Sequence, residues 1–219
     1  MPLNEIFQKI REFWSGKPLR YIPVRFELEE IENGEHVVKV FWKLNEKWEK
    51  VENISKLFEY GFKLEKENGI YLLDPQVQQI LFALRSLNPR IQKDGSLQFE
   101  ISPPILEYLR EKEEVEEGEN SKKLEIIKDK KIKRAMKIDY LKNKGIQIEF
   151  GYELEGEFLP KNAVKQTPDK QHLRVGNKFY PLFGRKLTEG MKNVFERNTI
   201  KVSLEEIPEF FKKDLIILK

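Results

Sequence analysis

Met136-Lys137-Ile138-Asp139-Tyr140, then Asn143-Lys144-Gly145, then Ile146-Gln147-Ile148-Glu149-Phe150-Gly151-Tyr152 is the stretch that decides the fold of the second half of this 219-residue chain. Apolar and polar residues alternate on both sides of a short turn, and a period of two belongs to a strand buried on one face only. The stretch therefore predicts an antiparallel hairpin with one dry and one wet face. Beyond it, a loop from Lys161 to Lys170 that contains Thr167-Pro168-Asp169 leads to a second hairpin, His172 to Val175 and Lys178 to Tyr180, turned through Gly176-Asn177. A helix over roughly Leu187 to Phe195 and a strand over Thr199 to Val202 follow. Ser203 and Glu206 have capping-box spacing, but Pro208 would then fall in the second turn at a cost of about 3 kcal/mol. The last helix is accordingly expected to start at Pro208 and run through Phe210, Phe211 and Leu215. The apolar run Leu215 to Leu218, one residue before the end, reads either as a docked element or as a chain that continues.

The first half mixes the two periodicities. Leu3, Ile6, Phe7, Ile10, Phe13 and Trp14 recur at helical spacing until Ser15-Gly16-Lys17-Pro18. Ile22, Val24, Phe26 and Leu28 then alternate with polar neighbours, Asn33-Gly34 supplies a hairpin turn, and Val38, Val40, Trp42 and Leu44 return. A third strand near Trp48 to Val51, a short helix capped by Asn53 and carrying Ile54, Leu57 and Phe58, and a strand over Ile70 to Leu73 complete the run. Asp74-Pro75 and Ser102-Pro103 each place a cap before a proline at the first helical position. The first of these helices buries Val77, Ile80, Leu81 and Leu84, and the second Ile105, Leu106, Tyr108 and Leu109. Between them Asp94-Gly95 turns into a strand carrying Leu97, Phe99 and Ile101. The fold class expected is α+β, with short antiparallel hairpins and sheets packed with short helices in two subdomains.

The composition is 39% hydrophobic and 35% charged, sufficient for one large core or two small ones, which excludes general disorder. Cysteine is absent, so a disulfide scaffold, thiolate metal sites and a cysteine nucleophile are excluded, in keeping with a reducing, cytoplasmic location. No apolar run approaches the roughly 20 residues of a membrane span. The net charge of +3 divides unevenly: residues 1–120 hold 17 Lys/Arg and 23 Asp/Glu, while residues 121–219 hold 23 and 14. An acidic subdomain 1–120 and a basic, strand-rich subdomain 121–219 are expected, with the acidic run Glu111 to Glu119 as the connector.

Most catalytic chemistry is missing. The one Gly-Lys pair, Gly16-Lys17, lacks the glycine and hydroxyl residue of a phosphate-binding loop. No dinucleotide glycine pattern or nucleophile elbow is present, and His36 and His172 both read as ordinary sheet or surface histidines. Asp139 and Glu149 sit where a metal-dependent nuclease carries its two acids, but Gly151 stands where the lysine belongs. No catalytic residue, metal or cofactor is therefore expected. The surviving signal is basic: Lys128, Lys130, Lys131, Lys133, Arg134 and Lys137 are the candidate nucleic-acid contacts, since ammonium and guanidinium groups that neutralise phosphates release counterions.

Several segments together carry a family resemblance. Lys133 to Tyr140 followed by Gly145 to Tyr152, Asp94-Gly95-Ser96-Leu97 followed by Pro104 to Leu109, and Ile207-Pro208-Glu209-Phe210-Phe211-Lys212 resemble the accessory region that precedes the motor in bacterial sucrose-non-fermenting-type helicase-like ATPases. The likeness spans roughly residues 70 to 219 and includes no catalytic signature. It implies a helicase-associated accessory module that makes DNA or protein contacts for a translocase whose ATPase lies elsewhere, in cis or in trans. No membrane and no small-molecule substrate is implied. The alternatives are a stand-alone protein-interaction or structural module, and a degenerate Mg-dependent nuclease-like domain.

Overall fold

The computed structural model describes residues 5–7, 9–10, 16–31, 34–44, 46–59, 62–66, 69–184 and 186–214, with side chains up to residue 212. Contacts divide the chain into two units, Met1–Lys123 and Leu124–Lys219, each an α+β arrangement of short helices and sheets.

In the first unit, β1 (Leu19–Ile22), β2 (Val24–Glu30), β3 (Glu35–Leu44) and β4 (Lys47–Lys50) follow the expected alternation. Antiparallel pairing of Phe26 with Val40 and Leu28 with Val38 puts four β-favouring side chains on one face, all buried. His36 continues that row, fully buried, with its ring stacked on Phe99 at 6.5 Å. On the opposite face the Arg25 guanidinium lies over Phe41 at 5.3 Å and Trp48 at 5.1 Å. After a 3-10 turn, Ile54–Phe58, come β5 (Lys63–Lys66) and β6 (Gly69–Leu73). The turn is the short helix expected there, wound as a 3-10 helix with Ile54 and Leu57 buried, and Asn53 caps it through its backbone carbonyl, not its side chain. β6 pairs parallel with β1 and antiparallel with β5 in a small separate sheet.

Helix α1 (Pro75–Ser86) starts as the Asp-Pro pair requires: the Asp74 carboxylate accepts from the Gln76 amide at 2.8 Å. Val77, Ile80, Leu81 and Leu84 are its buried stripe. The Asp94-Gly95 turn links β7 (Arg90–Ile91) and β8 (Leu97–Glu100), and β8 joins the main sheet beside β3. The turn is pinned by its side chains, since Asp94 accepts from the Ser96 hydroxyl at 2.6 Å and from Lys50 at 2.5 Å. These donors, Lys50 first, hold its carboxyl well below the ordinary range. Helix α2 (Pro103–Arg110) buries Leu106 and Leu109, but Ser102 caps it through its backbone carbonyl alone.

The acidic run corrects the expectation of a connector. Val115–Glu117 forms β9, parallel to β2, and the amides of Phe26 and Gly118 bond to Glu114 and Leu28 carbonyls at 2.7 and 2.8 Å. Its charge is partly compensated: Arg110 grips Glu117 at 2.6 and 3.2 Å, and Arg25 lies 3.6 Å from Glu116. The following short helix α3 (Glu119–Lys122) also belongs to this unit, so the charge switch falls inside a folded element.

The second unit comprises β10 (Glu125–Ile126), β11 (Ile132–Leu141), β12 (Gly145–Leu154), β13 (Glu157–Pro160), β14 (Lys165–Gln166), β15 (His172–Val175), β16 (Lys178–Phe183), α4 (Glu189–Glu196), β17 (Thr199–Val202) and α5 (Ile207–Glu209), which continues as a wider π turn over Phe210–Asp214. The strands form one eight-stranded sheet of path β13-β12-β11-β16-β15-β14, with β10 on β16 and β17 on β12. The two expected hairpins are both present, and β11 meets β16 in parallel at Ile132 and Lys133. One core gathers Ile146, Ile148, Phe150 and Val202 beneath Val194, Phe195, Ile207 and Phe210, and a second gathers Ile132, Leu173 and Tyr180.

At the C-terminal end the helix begins at Ile207 rather than Pro208, because Glu206 reaches back to the Ser203 amide at 3.0 Å and hydroxyl at 2.7 Å. The capping-box spacing is thus used across a turn that precedes the proline. Ile6, Phe7 and Ile10 of the N-terminal helical stripe are exposed. Leu3, Phe13, Trp14, Ser15, Asn33 and the run Leu215 to Leu218 lie outside the described residues.

Two glycines hold the β11–β12 hairpin in place. A side chain at Gly145, where φ is +114°, would collide with the Val202 carbonyl, and one at Gly151 would meet the Leu159 carbonyl and lie 2.7 Å from the Phe158 ring. Gly151→Val is expected to destabilise the protein by about 2–3 kcal/mol. Gly190→Ala, in open space on α4, is expected to stabilise it by about 0.5–1 kcal/mol. Urea midpoints at constant slope measure both.

Candidate nucleic-acid interface

Strand parity sorts the basic residues. In β11 and β12, Lys133 faces Glu153, Ala135 faces Gly151, Lys137 faces Glu149 and Asp139 faces Gln147, all on one side of the sheet. The same side receives Thr199 and Lys201 from β17, and across the parallel contact it receives Phe183, with Lys133 directly opposite. It continues through Pro181 opposite His172 and Phe179 opposite Arg174, and ends at Lys165 opposite Arg174. The other side carries both cores, and on this side Lys133, Lys137 and Phe183 are exposed, whereas Phe179 is fully buried with the Arg174 guanidinium 5.6 Å above its ring, so the outward face is the part around β11, β12 and Phe183.

Three of the six expected cations come together here. Lys131, just before β11, carries its ammonium to 5.0 Å above the Phe183 ring; Lys133 and Lys137 follow on the strand. The other three do not join them. Arg134 falls on the core side opposite Tyr152, Lys130 pairs with Glu155 of the β12–β13 turn at 2.9 Å, and Lys128 lies in the exposed bend before the strand. The strand's charge is also partly offset, because Lys133 bonds Glu153 at 2.9 Å and Lys137 bonds Asp139 at 3.1 Å. Exposed pairs of this kind are worth about 0–1 kcal/mol and can be exchanged for phosphate. On the exposed part Lys131, Lys133, Lys137 and Lys201 stand against Asp139, Glu149 and Glu153, which leaves it slightly positive, and Lys165 and Arg174 lie past the buried Phe179.

Phe183 is the aromatic centre of this face, 58% exposed, with a cation above it and another opposite it. An exposed ring offers a stacking surface to a base while neighbouring ammonium groups take the phosphates. Sequence reading passed over Phe183, Arg174, Lys165 and Lys201. Alternation along β16 was legible, but the β11–β16 contact that brings Phe183 to Lys133 is parallel and carries no turn signal. Tyr140, assigned by parity to the core, is 67% exposed at the end of the hairpin.

Two side-chain clusters support the face. Phe195 receives Tyr152 edge-on at 5.6 Å and the Lys161 ammonium at 4.3 Å. Burial pushes Lys161 below its ordinary value against the pull of Glu196, and pushes Tyr152 up against that of Arg134. The Thr167–His172 loop that sets β14 on β15 is organised by Asp169. Its carboxylate accepts from the Gln171 amide at 2.9 Å and lies 2.7 Å from the Thr167 hydroxyl and 2.8 Å from His172 Nδ1. Partial burial works to raise the Asp169 pKa, but these donors together hold it below the usual value. His172 is thus a loop-fixing residue.

The acids of the nuclease alternative do not face one another: Asp139 lies opposite Gln147 and Glu149 opposite Lys137. Among the described residues no group of three or more His, Asp or Glu is arranged to hold a metal ion, and no helix is long and apolar enough to cross a membrane. No protein-family model, curated protein or solved structure matches the chain.

Because the Asp169 pKa is depressed in the folded state, its contribution to stability is present above the unfolded value of about 3.9 and is lost as pH falls through the lower folded value. Asp169→Ala is expected to cost about 1–2 kcal/mol near pH 6, with the gap to the wild type closing below about pH 4. Urea titrations at several pH values read this directly.

Proposed function

We propose that this chain is a non-catalytic accessory module of a helicase-like ATPase, and that its basic second unit contacts nucleic acid. The observation that carries the nucleic-acid contact is the exposed Phe183 ring framed by Lys131 and Lys133 on the positive outward face. The second unit holds 21 Lys/Arg against 14 Asp/Glu, so the long-range field also favours a polyanion. The link to a motor rests on the resemblance of residues 70 to 219 to the region ahead of such motors.

The recognition is one of backbone and stacking. Lysines take phosphates without reading sequence, and a single exposed ring stacks on any base, which favours single-stranded or locally opened nucleic acid and weak sequence preference. Asp139 and Glu149 tune the field of the face and have no chemical step to perform.

Binding of a labelled single-stranded oligonucleotide by the full chain, measured across salt, tests this. With about three phosphates neutralised, the logarithm of affinity should fall against the logarithm of salt with a slope near −2. Replacing Lys131 and Lys133 together by alanine should make that slope about 1.4 shallower. Phe183→Ala should weaken binding by about 1–3 kcal/mol and leave the slope unchanged. Absence of binding at low salt, or binding indifferent to these three side chains, would remove the nucleic-acid half. Co-purification with a P-loop ATPase tests the other half separately.

A further inference from the structure

Strand β11 ends on an open edge. Its contact with β16 involves only Ile132 and Lys133, and from Ala135 to Leu141 the side away from β12 has no backbone partner among the described residues. The apolar row also runs out to this edge: Ile146 and Ile148 on β12 are buried, but their cross-strand neighbours Tyr140 and Ile138 are 67% and 41% exposed. An open edge flanked by exposed apolar side chains is a template for another strand, and natural proteins usually blunt such edges with charge.

The charges here select one kind of strand. Reversed about Ile138, the segment Met136-Lys137-Ile138-Asp139-Tyr140 is its own complement: Lys137 meets Asp139, Met136 meets Tyr140 and Ile138 meets itself. We infer that β11 pairs antiparallel, edge to edge, with β11 of a second copy of this chain about a two-fold axis through Ile138. Opposite charges then face each other twice on the wet side, and three apolar pairs line the other side. Neighbouring registers fail. An axis through Lys137 or Asp139 sets like charges against each other, and an axis through Met136 needs Lys133, whose outer edge is taken by Phe183. The paired segment is limited to 135–141, since Arg134 would meet Lys142 beyond the strand. Seven residues a side make a small interface, so the dimer is weak, forming at about 100 µM.

The test is sedimentation of the full chain without nucleic acid from about 5 to 500 µM, a range that brackets this affinity. The average mass should rise from 26.2 kDa towards twice that value. Lys137→Asp alone and Asp139→Lys alone should each weaken association about tenfold or more, because each turns two opposite-charge cross-strand pairs into like-charge pairs. The double swap should restore it. An equimolar mixture of the two single variants should dimerise at least about tenfold more tightly than either alone, as a reciprocal Lys137–Asp139 contact requires. If a single variant fails to fold by circular dichroism, Tyr140→Glu at its exposed position should abolish association instead. A monomer throughout the range, or association untouched by these substitutions, would overturn the inference.

Discussion

The antiparallel register of β11 on β12, Lys133 against Glu153 through to Leu141 against Gly145, is the constraint on which the second unit depends. A shift by one residue would move Ile146, Ile148 and Phe150 from the core to solvent and carry Glu149 inward. The register is locked at both ends by close backbone approach. Gly145 packs under the Val202 carbonyl, and Gly151 lies against the Leu159 carbonyl and the Phe158 ring. The glycine that removes the lysine from a nuclease-like triad is therefore present for a packing reason: it lets β13 fold over β12.

The same register explains why a very basic segment yields a face of only moderate positive charge. Lys133 and Lys137 come to lie opposite Glu153 and Glu149, while Arg134 goes to the other side beside Tyr152. The surplus on the exposed part arises from Lys131, just before β11, and from a segment distant in the chain, Lys201 on β17, which the sheet brings beside Gln147. In the first unit the reverse happens. The acidic run becomes β9, where Arg110 and Arg25 answer its carboxylates, so a stretch that reads as solvated charge is part of a sheet. Runs of like charge are thus poor guides to surface potential where partners across a sheet carry the opposite sign.

Local signals were the legible part. The period-two stretches predicted both hairpins of the second unit and the β2–β3 pair of the first, because alternation states which face is buried. Asp74-Pro75 marked the start of α1, and the spacing of Val77, Ile80, Leu81 and Leu84 marked its buried side. Local signals also misled where two uses of one pattern compete. Ser203 and Glu206 form their bonds around a turn, with Pro208 just beyond it, and Asn53 starts a 3-10 helix without a side-chain cap bond. Of the candidate interface, Lys131, Lys133 and Lys137 were legible as a cluster because they are neighbours in the chain.

The amino-acid order alone determined the α+β class, the hairpins, the capped helices, the absence of thiol chemistry and the acidic-to-basic change of charge, since each depends on residues within about ten positions of one another. Tertiary structure decided the parallel contacts β1–β6, β2–β9, β10–β16 and β11–β16, the placing of Phe183 beside Lys133, and the edge from Ala135 to Leu141 that is left open among the described residues. Parallel strands are joined by long connections with no turn to announce them, and whether a strand edge is covered depends on what every other segment does.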